Sequence, residues 1–284
     1  MNTLAIHPAN FTRRTRDLAG KFRRERRYGT LALYHLLRLS DLAREGIERS
    51  GSFRFADHLY ANRASGRGTL GWLIDRVLLS LPAARTMRQR CTEASAEMSR
   101  AFAGHRAAGK AGAFRILTVP CGLPRDVRDF AARLEAREPG AAARIEYTGL
   151  DLDADAIAAA QEFLAGSPVR LPRFVHADAL DEASYPAASF DFIASTGLGE
   201  FLDDDRLAFL YANVHSALAP GGVFFTSALA CEPRSDALLR AFEFDARYRT
   251  RAEIERLLGG QPWRECPCND DARGRQTFVR AIKE

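Results

Sequence analysis

The stretch Phe114–Asp126, with the sequence FRILTVPCGLPRD, decides the fold of this chain. Its first six residues form a short apolar run that has the length of a buried β-strand. The proline and glycine that follow predict a tight turn, and a helix is predicted from Arg125 to Arg137. A strand that leads through a glycine-containing turn into a helix is the starting unit of an α/β sheet.

The same alternation of strand and helix continues along the chain. The further predicted strands are 144–150, 171–176, 190–195 and 223–227, and the predicted helices between them are 153–164 and 203–218. Strands that alternate with helices join by right-handed crossovers into a parallel sheet with helices on both faces. After a helix at 251–258, a polar turn joins strands at 263–268 and 276–282. Such a hairpin must contribute an antiparallel strand.

Residues 1–110 are predicted to form a basic, all-helical domain that precedes the sheet domain at 111–284. Leucines at spacings of three and four predict one amphipathic helix over Leu31–Ile47, and helices are also predicted at 70–81 and 83–102. Glycines at 104, 109 and 112 form a flexible link, which places the domain boundary near residue 110. The arginine-dense segment 11–27 is most simply a solvated helix face, and nucleic-acid binding is its alternative interpretation.

Composition and charge narrow the class of protein. Hydrophobic residues make up 46% and charged residues 27% of the 284 residues, which excludes a mainly disordered or collagen-like chain. Residues 1–100 contain 19 Lys+Arg and 9 Asp+Glu, whereas the remainder contains 22 and 27. The five cysteines form no paired framework, and no apolar run resembles a signal peptide or a membrane span. We therefore expect a soluble cytoplasmic protein.

The residues that follow each strand carry the chemistry, because ligands of parallel sheets bind beyond the carboxyl ends of the strands. The first strand leads into Pro120, Cys121 and Gly122, and the glycine allows a ligand to approach the backbone. The second strand ends in Asp151, whose carboxylate can accept hydrogen bonds from ribose hydroxyls. The third strand is followed by Asp178, and the fourth ends in Ser195-Thr196-Gly197.

This ordered set resembles the class I S-adenosylmethionine (SAM)-dependent methyltransferases over about residues 114–284. The resemblance includes the Pro220-Gly221-Gly222 turn before the fifth strand and the terminal hairpin. It implies a doubly wound sheet of seven mostly parallel strands, in which the last strand is antiparallel. The helical front then becomes an N-terminal cap, or lid, over the cofactor pocket, and its aromatic side chains would shape the substrate space.

The resemblance also implies a role for each strand end. Cys121 and Gly122 would line the methionine end of SAM, Asp151 would bind the ribose, Asp178 and Ala179 would hold the adenine, and Ser195 and Thr196 would lie under the sulfonium. The predicted SAM-binding residues are Pro120, Cys121, Gly122, Arg125, Asp126, Asp151, Leu152, Asp153, Asp178, Ala179, Ser195 and Thr196.

The first turn departs from the family pattern. Pro120 stands in place of the usual acidic residue or its neighbour, and Gly122 is the turn's one glycine. We therefore expect Arg125 or Asp126 to contact the amino-acid end of SAM or to fix the turn from behind. A nicotinamide enzyme would need G-x-G-x-x-G after the first strand, and the sequence lacks that motif. The histidines and cysteines show no metal-ligand spacing, so no metal is predicted.

The catalytic residue is not decided by the sequence, and Thr196, Glu200 and Tyr60 are the candidates. Methyl transfer needs a nucleophile held in line with the methyl group, and positioning alone lowers much of that barrier. The leading hypothesis is a SAM-dependent methyltransferase that acts on a small molecule, as in secondary metabolism. The second is a SAM-consuming cyclase that releases methylthioadenosine and forms azetidine-2-carboxylate. The third is a nucleic-acid methyltransferase guided by the basic front. No metal and no membrane partner is expected.

Overall fold

The structure, a computed structural model, describes residues 17–49, 51–169, 172–232, 236, 240 and 246–284. Residues 11–16 of the predicted arginine-dense segment lie outside this part of the chain. The described residues form two compact units, one of 90–231 and 246–284 and the other mainly of 17–89. We call them the sheet unit and the helical unit. The division falls at residues 89–90, inside one long helix, and differs from the boundary that the sequence predicts near residue 110.

The helical and sheet units together contain the following named elements. The helices are α1 (Leu18–Arg24), α2 (Tyr28–Leu37), α3 (Asp41–Glu48), α4 (Phe53–Ala61), α5 (Gly68–Ser80), α6 (Pro82–Ala107), α7 (Arg125–Arg137), α8 (Ala154–Leu164), α9 (Asp204–Ala217) and α10 (Arg251–Leu258). The strands are β1 (Phe114–Thr118), β2 (Ile145–Asp151), β3 (Arg173–His176), β4 (Phe190–Ser195), β5 (Leu218–Leu229), β6 (Trp263–Glu265), β7 (Cys268–Asp270) and β8 (Gln276–Lys283). No helix in the described part of the chain combines the length and the apolar character needed to cross a bilayer.

The strands form one sheet in the order β3-β2-β1-β4-β5-β8-β6, and β7 also pairs with β8. Strands β1 to β5 are parallel to their neighbours, whereas β8 runs antiparallel to β5. The predicted α/β class, the parallel core and the antiparallel last strand are confirmed. The chain reverses its direction of winding between β1 and β4, which is where sheets of this kind bind ligands.

Two details of the sheet differ from the sequence prediction. The predicted strand 263–268 is divided into β6 and β7, which pair with β8 on either side of Cys266-Pro267, so the sheet has eight strands on a seven-strand plan. Proline has no backbone N–H to continue a ladder. The predicted turn at Pro220–Gly222 lies inside β5, at a shift in the pairing register with β4.

Helices cover both faces of the sheet. Phe225 belongs to a core that includes Met98 and Phe102 of α6 and Phe130 of α7. The neighbouring Phe224 lies 5.5 Å, between ring centroids, from Tyr211 of α9. Successive side chains of a strand point to opposite faces, so α6 and α7 cover one face and α9 the other. Residues 94–102 of α6 therefore belong to the core of the sheet unit, which explains why the division falls well before residue 110.

The helical unit is held together by a buried carboxylate. Asp75 of α5 is fully buried and accepts hydrogen bonds from Ser40 Oγ (2.5 Å), Leu42 N (2.9 Å) and Ser65 N (3.1 Å). His58 Nε2 of α4 lies 2.7 Å from Asp75 Oδ2, the oxygen that also accepts from Ser65 N. The prediction of one helix over Leu31–Ile47 is wrong. Ser40 ends that run because its side chain caps α3 by accepting from Ala43 N, a preferred role of serine.

Candidate functional site

The candidate site lies at the carboxyl ends of β1, β2 and β4 in the sheet unit. After β1, Cys121 N donates a hydrogen bond of 2.8 Å to Leu150 O, so the turn lies directly against the end of β2. Gly122 has a φ of +44°, a conformation that favours glycine. Helix α7 then begins at Arg125. The turn after β1, in which Gly122 has no side chain to cover the backbone, therefore lies at the switch point of the sheet.

Gly149 of β2 allows this turn to approach so closely. A Cβ atom at Gly149 would lie 2.9 Å from Cys121 Cβ and 2.9 Å from Tyr147 Oη. The Tyr147 hydroxyl is in turn 2.7 Å from Thr118 Oγ1 of β1. The absence of a side chain at Gly149 therefore sets the spacing between the turn and β2.

Asp151 is the central polar side chain of the site. Its Oδ2 accepts a hydrogen bond of 2.9 Å from Gly122 N, and its Oδ1 accepts one of 3.0 Å from Asp153 N. Each carboxylate oxygen has two acceptor sites, so both oxygens keep acceptor capacity for a ligand. Two backbone donors fix the orientation of the carboxylate before any ligand binds.

The electrostatics of the site follow from burial. Burial raises the pKa of Asp151, and the hydrogen bonds from Asp153 and Gly122 oppose part of that rise. Burial also raises the pKa of the Cys121 thiol, and the Asp151 carboxylate adds to the effect. Thiolate is the nucleophilic form of cysteine. Cys121 is therefore a packing residue of the turn rather than an activated nucleophile.

Arg125 and Asp126, the two residues expected to contact the amino-acid end of SAM or to fix the turn, both lie in the first turn of α7 and differ in their contacts. The Arg125 guanidinium stacks on the ring of Phe163 in α8, 5.0 Å from the ring centroid. Asp126 Oδ1 accepts a hydrogen bond of 2.9 Å from Val127 N, and burial raises the pKa of Asp126 to about 6. The negative charge of Asp126 also contributes to the raised pKa of Cys121. The charge of Asp126 therefore acts on Cys121 in the turn after β1, whereas the Arg125 side chain packs against α8.

The adenine-side candidates lie next to Asp151. Ala177 N donates to Asp151 O (3.1 Å), which links the end of β3 to the end of β2. Asp178 Oδ1 accepts from Leu180 N (2.9 Å), and Ala179 O accepts from the buried Tyr185 hydroxyl (2.8 Å). Leu152 O lies 3.0 Å from His176 Nε2. Asp153 is the N-cap of α8, where its side chain accepts a hydrogen bond from Asp155 N.

The residues after β4 form the other side of the site. Val119 N donates to Ala194 O (2.9 Å), so this strand end adjoins the turn after β1. Ser195 is buried and its carbonyl accepts from Thr226 Oγ1 (2.6 Å), and Thr196 is half-buried. Glu200, a candidate catalytic acid, is buried in an ion pair with Arg90, in which Nη1 and Oε1 are 2.7 Å apart. Burial raises the pKa of Glu200, and Arg90 opposes that rise.

The sheet thus gathers the predicted cofactor residues of the turn, β2, β3 and β4 at one edge. The third catalytic candidate, Tyr60, lies on α4 in the helical unit. Sequence reasoning missed Arg90 and Arg249, which contact the segment after β4 from positions far along the chain. Neither arginine stands in a motif, so no sequence signal marks it. Among the described residues, no group of three or more His, Cys, Asp and Glu side chains has a metal-binding arrangement.

Comparison with known proteins agrees with this geometry. Residues 117–224 match a family model described as a methyltransferase domain. Of the solved structures, a possible exported protein from Bordetella parapertussis is similar with a TM-score of 0.73 and 21% identity, over 89% of this chain and 87% of that one. The CurJ carbon methyltransferase gives a TM-score of 0.55 and 15% identity over 93% and 69% of the two chains.

A third similar structure is magnesium protoporphyrin IX methyltransferase from Synechocystis PCC 6803 with bound S-adenosylhomocysteine (SAH), at a TM-score of 0.50 and 15% identity over 80% and 93% of the chains. A search of curated proteins gives no match. At these identities the structures show the fold, and the matching family model adds the activity class. The sheet unit therefore has the class I methyltransferase fold, and residues 117–224 within it match a methyltransferase domain. The findings give no support to the cyclase alternative.

Proposed function

We propose that this protein transfers the methyl group of SAM to a small molecule, and that Asp151 is the residue that fixes the cofactor. The observation that carries the proposal is the Asp151 carboxylate, which Gly122 N and Asp153 N orient at the switch point of the sheet. A carboxylate at the end of β2 is suited to accept hydrogen bonds from the two ribose hydroxyls of a nucleoside.

The residues present fit SAM at its other parts as well. Asp126 provides a negative group at the turn after β1, which suits the ammonium of the methionyl part, whereas Arg125 is stacked on Phe163. Leu152, Asp153, Asp178 and Ala179 follow β2 and β3, on the adenine side. Pro120, Cys121 and Gly122 line the turn, and Ser195 and Thr196 follow β4. Bound SAM supplies an electrophilic methyl group that needs no metal or redox partner.

The chain's contribution to the reaction is then positioning. Holding two reactants in line removes a large part of the barrier to a bimolecular displacement. Thr196 is the better-placed catalytic candidate of the strand ends, because Glu200 is already paired with Arg90. A role of the helical unit as a lid, a catalytic role of Tyr60, a place in secondary metabolism and a cytoplasmic location remain predictions.

Product analysis tests this proposal. The purified protein is incubated with SAM labelled in its methyl group, with and without pools of small phenols, amines and carboxylic acids, and products are identified by mass spectrometry. The proposal predicts SAH and a labelled acceptor in at least one pool, and a strong loss of both with Asp151→Asn. Methylthioadenosine from SAM alone would indicate cyclisation. Label transferred to RNA or DNA but to no pool would contradict a small-molecule acceptor.

A further inference from the structure

The helical unit carries most of the large apolar side chains that are exposed in the described part of the chain. Of nine such side chains, seven lie in the helices α2 and α5, and two lie in the sheet unit. Single exposed apolar residues are ordinary, whereas a group of them on neighbouring elements marks an interaction surface. We call the seven the α2–α5 face; they are Tyr28, Leu33 and Leu36 of α2 and Leu70, Trp72, Leu73 and Val77 of α5.

Helix α5 has an inward and an outward side. Asp75 and Leu79, which are four positions apart, are buried inside the helical unit. Leu73 and Val77 have the same spacing, but they are 52% and 53% exposed, and Leu70 continues their row. Residues three and four positions apart share one face of a helix. The outward side of α5 is therefore apolar, where a helix that faces water is usually polar.

Helix α2 is the neighbour of α5 in the helical unit. Tyr34 and Leu37 of α2 belong to the same apolar cluster as Ile74 and Leu78 of α5. Helix α2 contains no lysine, arginine, aspartate or glutamate. Its exposed leucines therefore add to the apolar surface of α5 without bringing a charge of their own.

The charges that flank the α2–α5 face are mostly positive. Residues 21–27, which lead into α2, contain five basic side chains and Glu25, which is itself ion-paired. The exposed Arg67 precedes α5, and the guanidinium of Arg76 lies 5.3 Å from the centroid of the Trp72 ring. The whole stretch from residue 17 to residue 89 contains 14 basic and 7 acidic side chains. An apolar surface with a cationic border is complementary to an anionic partner.

We propose that the α2–α5 face docks this protein on an anionic lipid surface. The leucine, valine and tryptophan side chains enter the boundary between headgroups and acyl chains, and the arginines at the border contact lipid phosphates. Tryptophan and tyrosine favour this depth because their rings are apolar with a polar edge. A peripheral contact of this kind needs no membrane-spanning helix, and it does not depend on the proposed function.

A second copy of the chain fits this face less well than lipid does. In a two-fold dimer the same surface meets itself, so the two cationic borders would repel each other. A protein partner also relies on directional hydrogen bonds across the interface. The exposed leucine and valine side chains offer none, whereas a fluid lipid surface requires none.

Co-sedimentation of the full-length protein with vesicles tests the proposal. The wild type should bind vesicles of phosphatidylcholine with about one-third phosphatidylglycerol, and added salt or pure phosphatidylcholine should weaken that binding. Leu73→Glu should weaken it about 10-fold or more, because an apolar side chain becomes a carboxylate that anionic lipids repel. Arg76→Gln should weaken it about 5-fold. Phe209→Glu is the matched control, because it makes the same kind of change at an exposed residue of the sheet unit and should bind as the wild type does.

Circular dichroism confirms that each variant is folded, and Arg76→Gln decides the outcome should Leu73→Glu not fold. A wild type that does not bind anionic vesicles overturns the proposal, as does binding that neither Leu73→Glu nor Arg76→Gln weakens. Equal binding to anionic and to pure phosphatidylcholine vesicles would remove the role of charge and overturn it as well. A dimer in light scattering that Leu73→Glu converts to a monomer would assign the face to a second copy instead.

Discussion

Among single residues, Asp126 shows a conflict between stability and function. Asp126 lies in the first turn of α7, and burial raises its pKa from 3.8 to about 6. No lysine or arginine lies within ion-pair distance of it among the residues that the structure describes. The folded state therefore binds the Asp126 proton more tightly than the unfolded state does, and the ionised form costs stability above pH 6. A ligand ammonium at this position would remove that cost.

Asp126→Asn is expected to stabilise the free protein and to weaken its binding of SAM. The cost of ionisation is absent in the variant, so its free energy of unfolding at pH 7.5 should rise by about 1–2 kcal/mol, with partial exposure taken into account. The gain should shrink as the pH falls through 6 and disappear near pH 3, where the carboxyl group is largely protonated in both states of the wild type. Urea denaturation at both pH values measures the difference in the free energy of unfolding between the variant and the wild type.

Asp129→Asn is the matched control, because Asp129 is exposed on the same helix and should change the free energy of unfolding by less than about 0.5 kcal/mol. The affinity of the wild type for SAM should fall as the pH decreases through 6, and that of Asp126→Asn should not. A variant that is less stable than the wild type at pH 7.5, or that binds SAM equally well, contradicts the assignment.

At the scale of elements, the spacing between the turn after β1 and strand β2 depends on Gly149. Gly149→Ala introduces a Cβ that would lie 2.9 Å from both Cys121 Cβ and Tyr147 Oη. The turn must shift, so we expect a loss of about 1–3 kcal/mol in the free energy of unfolding and weaker SAM binding. Gly104→Ala is the control, because Gly104 lies in α6 with nothing within 4 Å of the added atom. A Gly149→Ala protein with unchanged stability and affinity would show that the spacing is not critical.

The helices of the helical unit are joined by Asp75, and this connection should depend on pH. The hydrogen bond to Asp75 raises the pKa of His58, so the stability that this pair adds is present at low pH and is lost as the pH rises through the raised pKa. Asp75→Asn should cost about 2–4 kcal/mol at pH 6 and less at pH 9, where His58 is neutral. Chemical denaturation at both pH values measures the two differences, and a cost that is equal at pH 6 and pH 9 would exclude the ion pair as its source.

The elements also show what a sequence can and cannot predict. Strands β1 to β5 follow from apolar runs between turn residues, since burial on both faces requires such runs. Asp151 was predicted from its place at a strand end. The break between α2 and α3 was missed because the leucine spacing continues through Ser40, whose capping role outweighs it. The Arg90–Glu200 pair could not be predicted, because two of many charged residues meet only through the fold.

For the whole molecule, the predicted cofactor residues all lie in the sheet unit, between residues 120 and 196. The chain enters this unit within α6, so the helix that begins in the basic helical unit also supplies Arg90 and the core residues Met98 and Phe102. Binding of SAM by the sheet unit should raise the unfolding temperature by an amount that grows with the logarithm of the ligand concentration over its Kd.

Calorimetric titration of SAM into the wild type and into Asp151→Asn tests the central claim most directly. The account predicts one saturable site in the wild type and an affinity about 10- to 100-fold weaker in the variant, because hydrogen bonds to a charged group are lost without a change of shape. Circular dichroism would confirm that the variant is folded. Equal affinity of the two proteins for SAM, or no binding by the wild type at millimolar SAM, would contradict the account.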